Sequence, residues 1–96
     1  MSTLNLPISF DAHKSNANKL IRGLSFNLAL KFDWSSARIT EDLRHDYGEP
    51  WYLAIGYVDE RLHVIVFTPR EQKVHVISLR KANSRELAIY EQAKKT

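Results

Sequence analysis

Two runs of alternating apolar residues, Leu62–Thr68 and Lys73–Leu79, stand either side of the turn Pro69-Arg70-Glu71-Gln72. Both are apolar on both parities, which predicts central strands covered at least in part on both faces. Trp51–Val58 reads as a further strand, closed by the turn Asp59-Glu60-Arg61, and Ala37–Asp42 as another, with Ile39 on its buried side. Between these two, residues 43–50 are polar and include Gly48 and Pro50, so they read as a loop.

The helical pattern lies outside these strands. Asp11 is placed to N-cap a helix over Ala12–Arg22, which Gly23 then closes. Its apolar side is thin, with Ala17, Leu20 and Ile21 expected toward the core. Lys14, Asn18 and Arg22 fall at four-residue steps along one face. Ser25 is the cap of a short second helix through Phe32, broken by Asp33-Trp34-Ser35-Ser36. Asn83 and Glu86 form a capping-box pair opening a helix of about three turns that runs toward Lys94-Lys95. Ile8-Ser9-Phe10 is a short edge-strand candidate, and Met1–Pro7 a flexible lead-in.

The expected fold is therefore α+β: two N-terminal helices, a four-stranded antiparallel meander with room for a short extra N-terminal strand, and a C-terminal helix. One domain covers 8–96. A meander alternates direction, so Arg44, His45, Glu49 and Arg70 gather at one end of the sheet. Arg61, Arg80 and Lys81 gather at the other.

Composition narrows the partner rather than the fold. Ninety-six residues make one domain. Fourteen Lys and Arg against eleven Asp and Glu leave +3 at pH 7, which permits an anionic partner without requiring one. Cysteine is absent, excluding disulfides and thiolate metal sites and fitting a reducing cytoplasm. No apolar run has the length of a membrane span, and the N-terminus lacks the pattern of a secretory signal.

Arg80 leaves a buried strand with a defined direction, and arginine offers fixed bidentate donors to phosphate. The alternative is a surface arginine paired with Glu86. Arg70 lies about 20–25 Å from Arg80 at the strand rise, too far to share one phosphate with it. His45, beside Arg44, Asp46 and Glu49, is the candidate general base, the alternative being a solvated histidine. His63 and His75 read as sheet-face residues. With no His-x-x-x-His and no cysteine, neither a metal nor a cofactor is expected. Trp34, Trp51, Tyr52, Tyr57 and Phe67 read as core or interface.

In several places the chain resembles the BrnT family of small ribonuclease toxins, distant relatives of the RelE toxins. The matching pieces are Phe10-Asp11-x-x-Lys14-x-x-x-Asn18, Gly23-Leu24-Ser25-Phe26, Asp42-x-Arg44-x-x-x-Gly48-Glu49 and Ala54-Ile55-Gly56. Most specific are Val66-x-Thr68-x-Arg70 and Ile77-Ser78-x-Arg80-Lys81-Ala82, followed by Glu86 and Tyr90. The resemblance implies a RelE-like fold and a bacterial, cytoplasmic, metal-independent ribonuclease that halts translation. It also implies a ribbon-helix-helix antitoxin, through which alone the toxin would contact DNA. The expected site is then Arg80, Arg70 and His45 for catalysis and Arg22, Arg44, Lys14, Lys81 and Arg85 for RNA binding; of these, Arg80, Arg70, Arg44, Lys14 and Lys81 stand in the matching motifs. Two departures stand out: Ile21-Arg22-Gly23 replaces the family's Lys-His-Gly, and Glu49-Pro50-Trp51 replaces its Glu-x-Arg. They leave a second expectation open, a weak or inactive binding module that still pairs with the antitoxin.

Overall fold

The computed structural model of the chain describes residues 7–94. Its elements are β1 (Ile8–Phe10), α1 (Ala12–Arg22), two 3-10 turns (Phe26–Leu30 and Trp34–Ser36), β2 (Arg38–Glu41), β3 (Tyr52–Val58), β4 (Arg61–Arg70), β5 (Lys73–Lys81) and α2 (Ser84–Lys94). The strands form one sheet in the order β1-β5-β4-β3-β2. Strand β1 runs parallel to β5, and the remaining pairs are antiparallel. Met1–Leu6 of the expected lead-in, and Lys95, lie outside the described residues; Pro7 accepts a hydrogen bond from the Val74 amide at 2.9 Å.

This corrects the expected architecture in two ways. The sheet is five-stranded and mixed, because residues 8–10 add a parallel strand beside β5. There is also only one N-terminal α-helix. The segment expected to form the second, through Phe32, is a 3-10 turn over Phe26–Leu30 capped by Ser25, and a further 3-10 turn capped by Asp33, Trp34–Ser36, stands where the break was expected. Sheet pairing overrides helix propensity there: Phe32 bridges to Val58, and the Asp33 amide donates to the Tyr57 carbonyl at 2.8 Å. A continuing helix would need those backbone groups for itself.

The two faces of the sheet differ. One carries Ala54, Val58, Ile65, Phe67, Val74, Val76 and Leu79, packed against Leu24, Phe26, Ala29 and Phe32; this is the main core. The other carries Ile55, Leu62 and Val64, covered by Ala82 and Tyr90 from the α2 end. Tyr90 fixes α2 there by donating to the Ser36 carbonyl at 2.8 Å and meeting the Tyr57 ring edge-on. Leu53 and Tyr57 pack against that cluster, and toward the β4–β5 turn the same face carries Thr68, His75 and Arg70.

A bulge sets which residues reach that polar face. Val66 pairs with Ser78 but Phe67 pairs with Val76, so Ile77 is an extra residue in β5. In a regular strand His75 and Arg80, five positions apart, would point to opposite faces. The bulge shifts the alternation by one, and both point away from the main core. Arg70 joins them, since it alternates in phase with Val64 and Thr68, the partners of Arg80 and His75.

Helix α1 docks through polar rather than apolar groups, another correction. Ser15 is buried and its hydroxyl accepts from the Phe26 amide at 2.9 Å. Asn18 donates to the carbonyls of Leu24 and Leu79, at 2.8 and 2.9 Å. Leu20 and Ile21, expected inward, are 88% and 81% exposed, because the helix meets the sheet along the Ser15–Asn18 line. Ile39 is likewise 41% exposed on the edge strand β2. Gly56 admits the Phe32 ring, whose Cζ would lie 2.8 Å from a Cβ built there. Among the described residues, no helix is long and apolar enough to cross a membrane.

Candidate functional site

The polar part of the second face holds two groups of charged residues. The first centres on Arg80, which leaves β5 and is gripped by Glu86 through both terminal nitrogens, at 2.7 Å each. Glu86 is itself built into the start of α2: its amide donates to Asn83 Oδ1 at 2.8 Å, and its carboxylate accepts from the Asn83 amide at 2.9 Å. The guanidinium is thus oriented by a carboxylate that also serves as a helix cap. The pairing raises the Arg80 pKa and lowers that of Glu86. Arg44 lies within electrostatic range of Arg80 and opposes that rise.

Arg44 comes from the 42–51 loop, which is knitted by its own side chains. Asp42 accepts from Arg44 Nε at 2.9 Å and from Nη2 at 2.7 Å, and its side chain is 1% exposed. The Asp42 pKa falls to about 2, mainly through the Arg44 hydrogen bond, with burial opposing. Tyr47 donates to Asp42 at 3.4 Å and stacks on Trp51 at 3.7 Å between ring centroids. His45 meets the Tyr47 ring edge-on at 5.6 Å and is solvent-exposed. The loop is rooted in the sheet by the Thr68 hydroxyl, which donates to the Pro50 carbonyl at 2.7 Å.

The second group sits at the other end of the β4–β5 hairpin. Arg70 Nη2 donates to both Glu49 oxygens, at 3.2 and 3.0 Å. Glu49 also accepts from Trp51 Nε1 at 3.0 Å, and this bond, with the Arg70 pairing next, lowers its pKa. His75 is half-buried beside them, its Nδ1 2.9 Å from the Ser9 hydroxyl of β1. Burial, then the Arg70 charge, lowers its pKa; Lys14 acts in the same sense, while Glu49 and Asp11 oppose.

The expected residues therefore divide. Arg44, expected at the Arg70 end of the sheet, lies within electrostatic range of Arg80, and His45 is in the same loop. Arg70 and Lys14 lie around His75 on the same face as Arg80; along β4 the partner of His75 is about 13 Å, and Arg70 about 20 Å, from the partner of Arg80. Arg22 lies in the last turn of α1 and engages no partner among the described residues. Lys81 pairs in register with His63 and points to the opposite face from Arg80. Arg85 is exposed in the first turn of α2. Sequence reading missed Asp42, Tyr47 and His75 as parts of the site. The Asp-x-Arg spacing of 42 and 44 was a usable signal for the first, but nothing local announced the Ser9–His75 contact. Among the described residues no group of His, Cys, Asp or Glu is placed to hold a metal ion.

An α+β fold with one sheet face lined by oriented guanidiniums suits an extended polyanion. The comparison with known families is specific. The model of the ribonuclease toxin, BrnT, of type II toxin–antitoxin systems matches residues 10–86, and the chain belongs to that family. No curated protein matches it. The family carries with it an RNA target and an antitoxin partner.

Proposed function

We propose that this toxin cleaves RNA by transphosphorylation on the Arg44–Arg80 side of the face, and that the cut RNA halts translation in a bacterial cytoplasm. The ribose 2′-oxygen attacks the adjacent phosphorus, its proton passes to a base, and the 5′-oxygen leaves with a proton supplied to it. No metal or cofactor takes part. Charge gathering on the phosphate is the main thing to stabilise. Arg80, locked in direction by Glu86, and Arg44, locked by Asp42, supply it. His45 is the candidate base. Arg70 and Lys14 extend the RNA track. The observation that carries this reading is the bidentate Arg80–Glu86 pair, which leaves Arg80 Nε without a partner among the described residues. The partner is a ribbon-helix-helix antitoxin that covers this face and alone contacts the operator DNA.

Expression of the chain alone, beside Arg80→Ala, tests the activity. Growth arrest with fragmented RNA is expected for the wild type and lost in the variant. Unimpaired growth with intact RNA at confirmed soluble expression would sink it.

One observation favours a second reading, an attenuated enzyme that acts mainly by binding. Arg44, Arg70 and Arg80 each already face a carboxylate: Asp42, Glu49 and Glu86. RNA must share those guanidiniums or displace the acids. Tight antitoxin binding with cleavage absent even at high enzyme concentration would favour this reading.

A further inference from the structure

The proposed cleavage takes Arg70 and Lys14 into the RNA track and leaves the Ser9–His75 pair beside them unused. His75 stands on the polar face directly opposite Thr68, with Arg70 the diagonal neighbour on β4, within reach of a long side chain. Ser9 stands opposite it on the other side, because β1 pairs in parallel with β5. Its hydroxyl holds Nδ1 at 2.9 Å. Among the described residues no buried side-chain nitrogen or oxygen lacks a partner, so the unpaired Nε2 reaches solvent. In the tautomer in which Ser9 donates to Nδ1, the neutral ring carries its proton on Nε2 and offers it outward; the protonated ring donates from both nitrogens, Nδ1 to Ser9 and Nε2 outward. Arg70 gives Glu49 only its Nη2, leaving Nε and Nη1 without partners among the described residues. Lys14 adds an exposed ammonium within electrostatic range.

We propose that His75, oriented by Ser9, forms with Arg70 and Lys14 a second phosphodiester-binding subsite for single-stranded RNA, separate from the phosphate held at Arg80. The inference rests on the ribonuclease reading for its ligand. Four strand steps separate the partners of His75 and Arg80 on β4, about 13 Å, a distance that a few nucleotides of single strand span. The subsite therefore acts on substrates long enough to reach it and leaves the shortest ones untouched. It also responds to pH. The charged groups facing His75 are Arg70 from the end of β4, Glu49 from the 42–51 loop, and Lys14 and Asp11 from α1 and its cap. Ser9 of β1 is the neutral neighbour. Acidification protonates the imidazole, adds a third cation beside Arg70 and Lys14, and tightens the grip on phosphate.

The test uses the whole chain, a 2′-O-methyl oligoribonucleotide that cannot be cut, and cleavable substrates of two lengths. His75→Ala and Arg70→Ala are each expected to weaken oligonucleotide binding about tenfold, the scale of one lost hydrogen bond to a charged group. On the long substrate His75→Ala raises KM and leaves kcat, while its kcat/KM for a dinucleoside monophosphate is unchanged. His75→Gln, which keeps an N–H donor but cannot be charged, retains binding at neutral pH and loses the tightening in acid. Thermal unfolding of each variant checks the fold, and Ser9→Ala gives an independent loss if His75→Ala does not fold. Unchanged oligonucleotide affinity in folded His75→Gln across the pH range together with folded Ser9→Ala, or an equal loss on the dinucleoside substrate, would overturn the subsite. A wild type that binds the oligonucleotide with these dependences but cuts nothing supports the subsite and overturns the ribonuclease reading.

Discussion

Glu86 binds both terminal nitrogens of Arg80 while its backbone and carboxylate close the cap of α2 on Asn83. One carboxylate thus couples the direction of a cation to the start of a helix. Arg80→Ala is expected to lower the cleavage rate by about 10²–10³-fold, the scale of losing a principal charge-stabilising donor. Arg80→Lys recovers little of it, since an ammonium cannot reproduce the planar pairing. Glu86→Ala lowers both the rate and the stability, the latter by about 1 kcal/mol through the lost cap. Single-turnover cleavage and thermal unfolding on the same samples separate the two effects.

Asp42 makes the fold acid-sensitive in a definite window. Its pKa is depressed in the folded protein, from an ordinary 3.8 to about 2. Its contribution to stability is therefore present above about 3.8 and lost as pH falls through about 2. Asp42→Asn removes that contribution at neutral pH and flattens the stability profile between these values. Denaturant titrations at a series of pH values check it; parallel profiles for both proteins would count against the assignment.

Gly56 has room for the Phe32 ring only because it has no Cβ. Gly56→Ala is expected to cost about 1–3 kcal/mol, the usual range for overpacking a filled core. The midpoint of urea unfolding measures this, and an unchanged midpoint would show that Phe32 moves aside freely.

Asn18 holds α1 to the sheet through the Leu24 and Leu79 carbonyls. Asn18→Ala is expected to cost about 1–3 kcal/mol by leaving carbonyls unpaired. Leu20→Lys and Ile21→Lys, changes at outward positions, are expected to stay within about 0.5 kcal/mol. Equal destabilisation by all three would contradict the observed orientation of the helix.

The contrast between Asn18 and Leu20 also shows why the sequence was legible in some places and not in others. Hydrophobic alternation located β3, β4 and β5, and local chemistry marked both ends of α1, at Asp11 and Gly23, and the start of α2, at the Asn83–Glu86 pair. Periodicity assumes that helices bury apolar residues, whereas α1 buries Ser15 and part of Asn18. It could not see that residues 8–10 would join β5 in parallel, because that pairing joins segments more than sixty positions apart. Segment 26–32 was misread because its fate depends on Val58 and Tyr57, which pull the backbone at Phe32 and Asp33 into the sheet. Arg80, Arg70 and Arg44 could be picked out as cations with a direction. Their carboxylate partners and the Ser9–His75 contact depend on tertiary register.

Ile77 gives the hairpin a phase as well as a shape. Residues before and after it follow the same alternation rule from different starting points, so the two halves of β5 behave as strands of opposite parity joined end to end. Deleting that single residue would leave every named side chain in place in the sequence. It would also turn either the His75 half or the Arg80 half inward, toward Ile65 and Phe67. The proposed RNA track then depends on an offset of one residue in the backbone, and a length change there would disconnect the two proposed phosphate sites without altering any residue assigned to them.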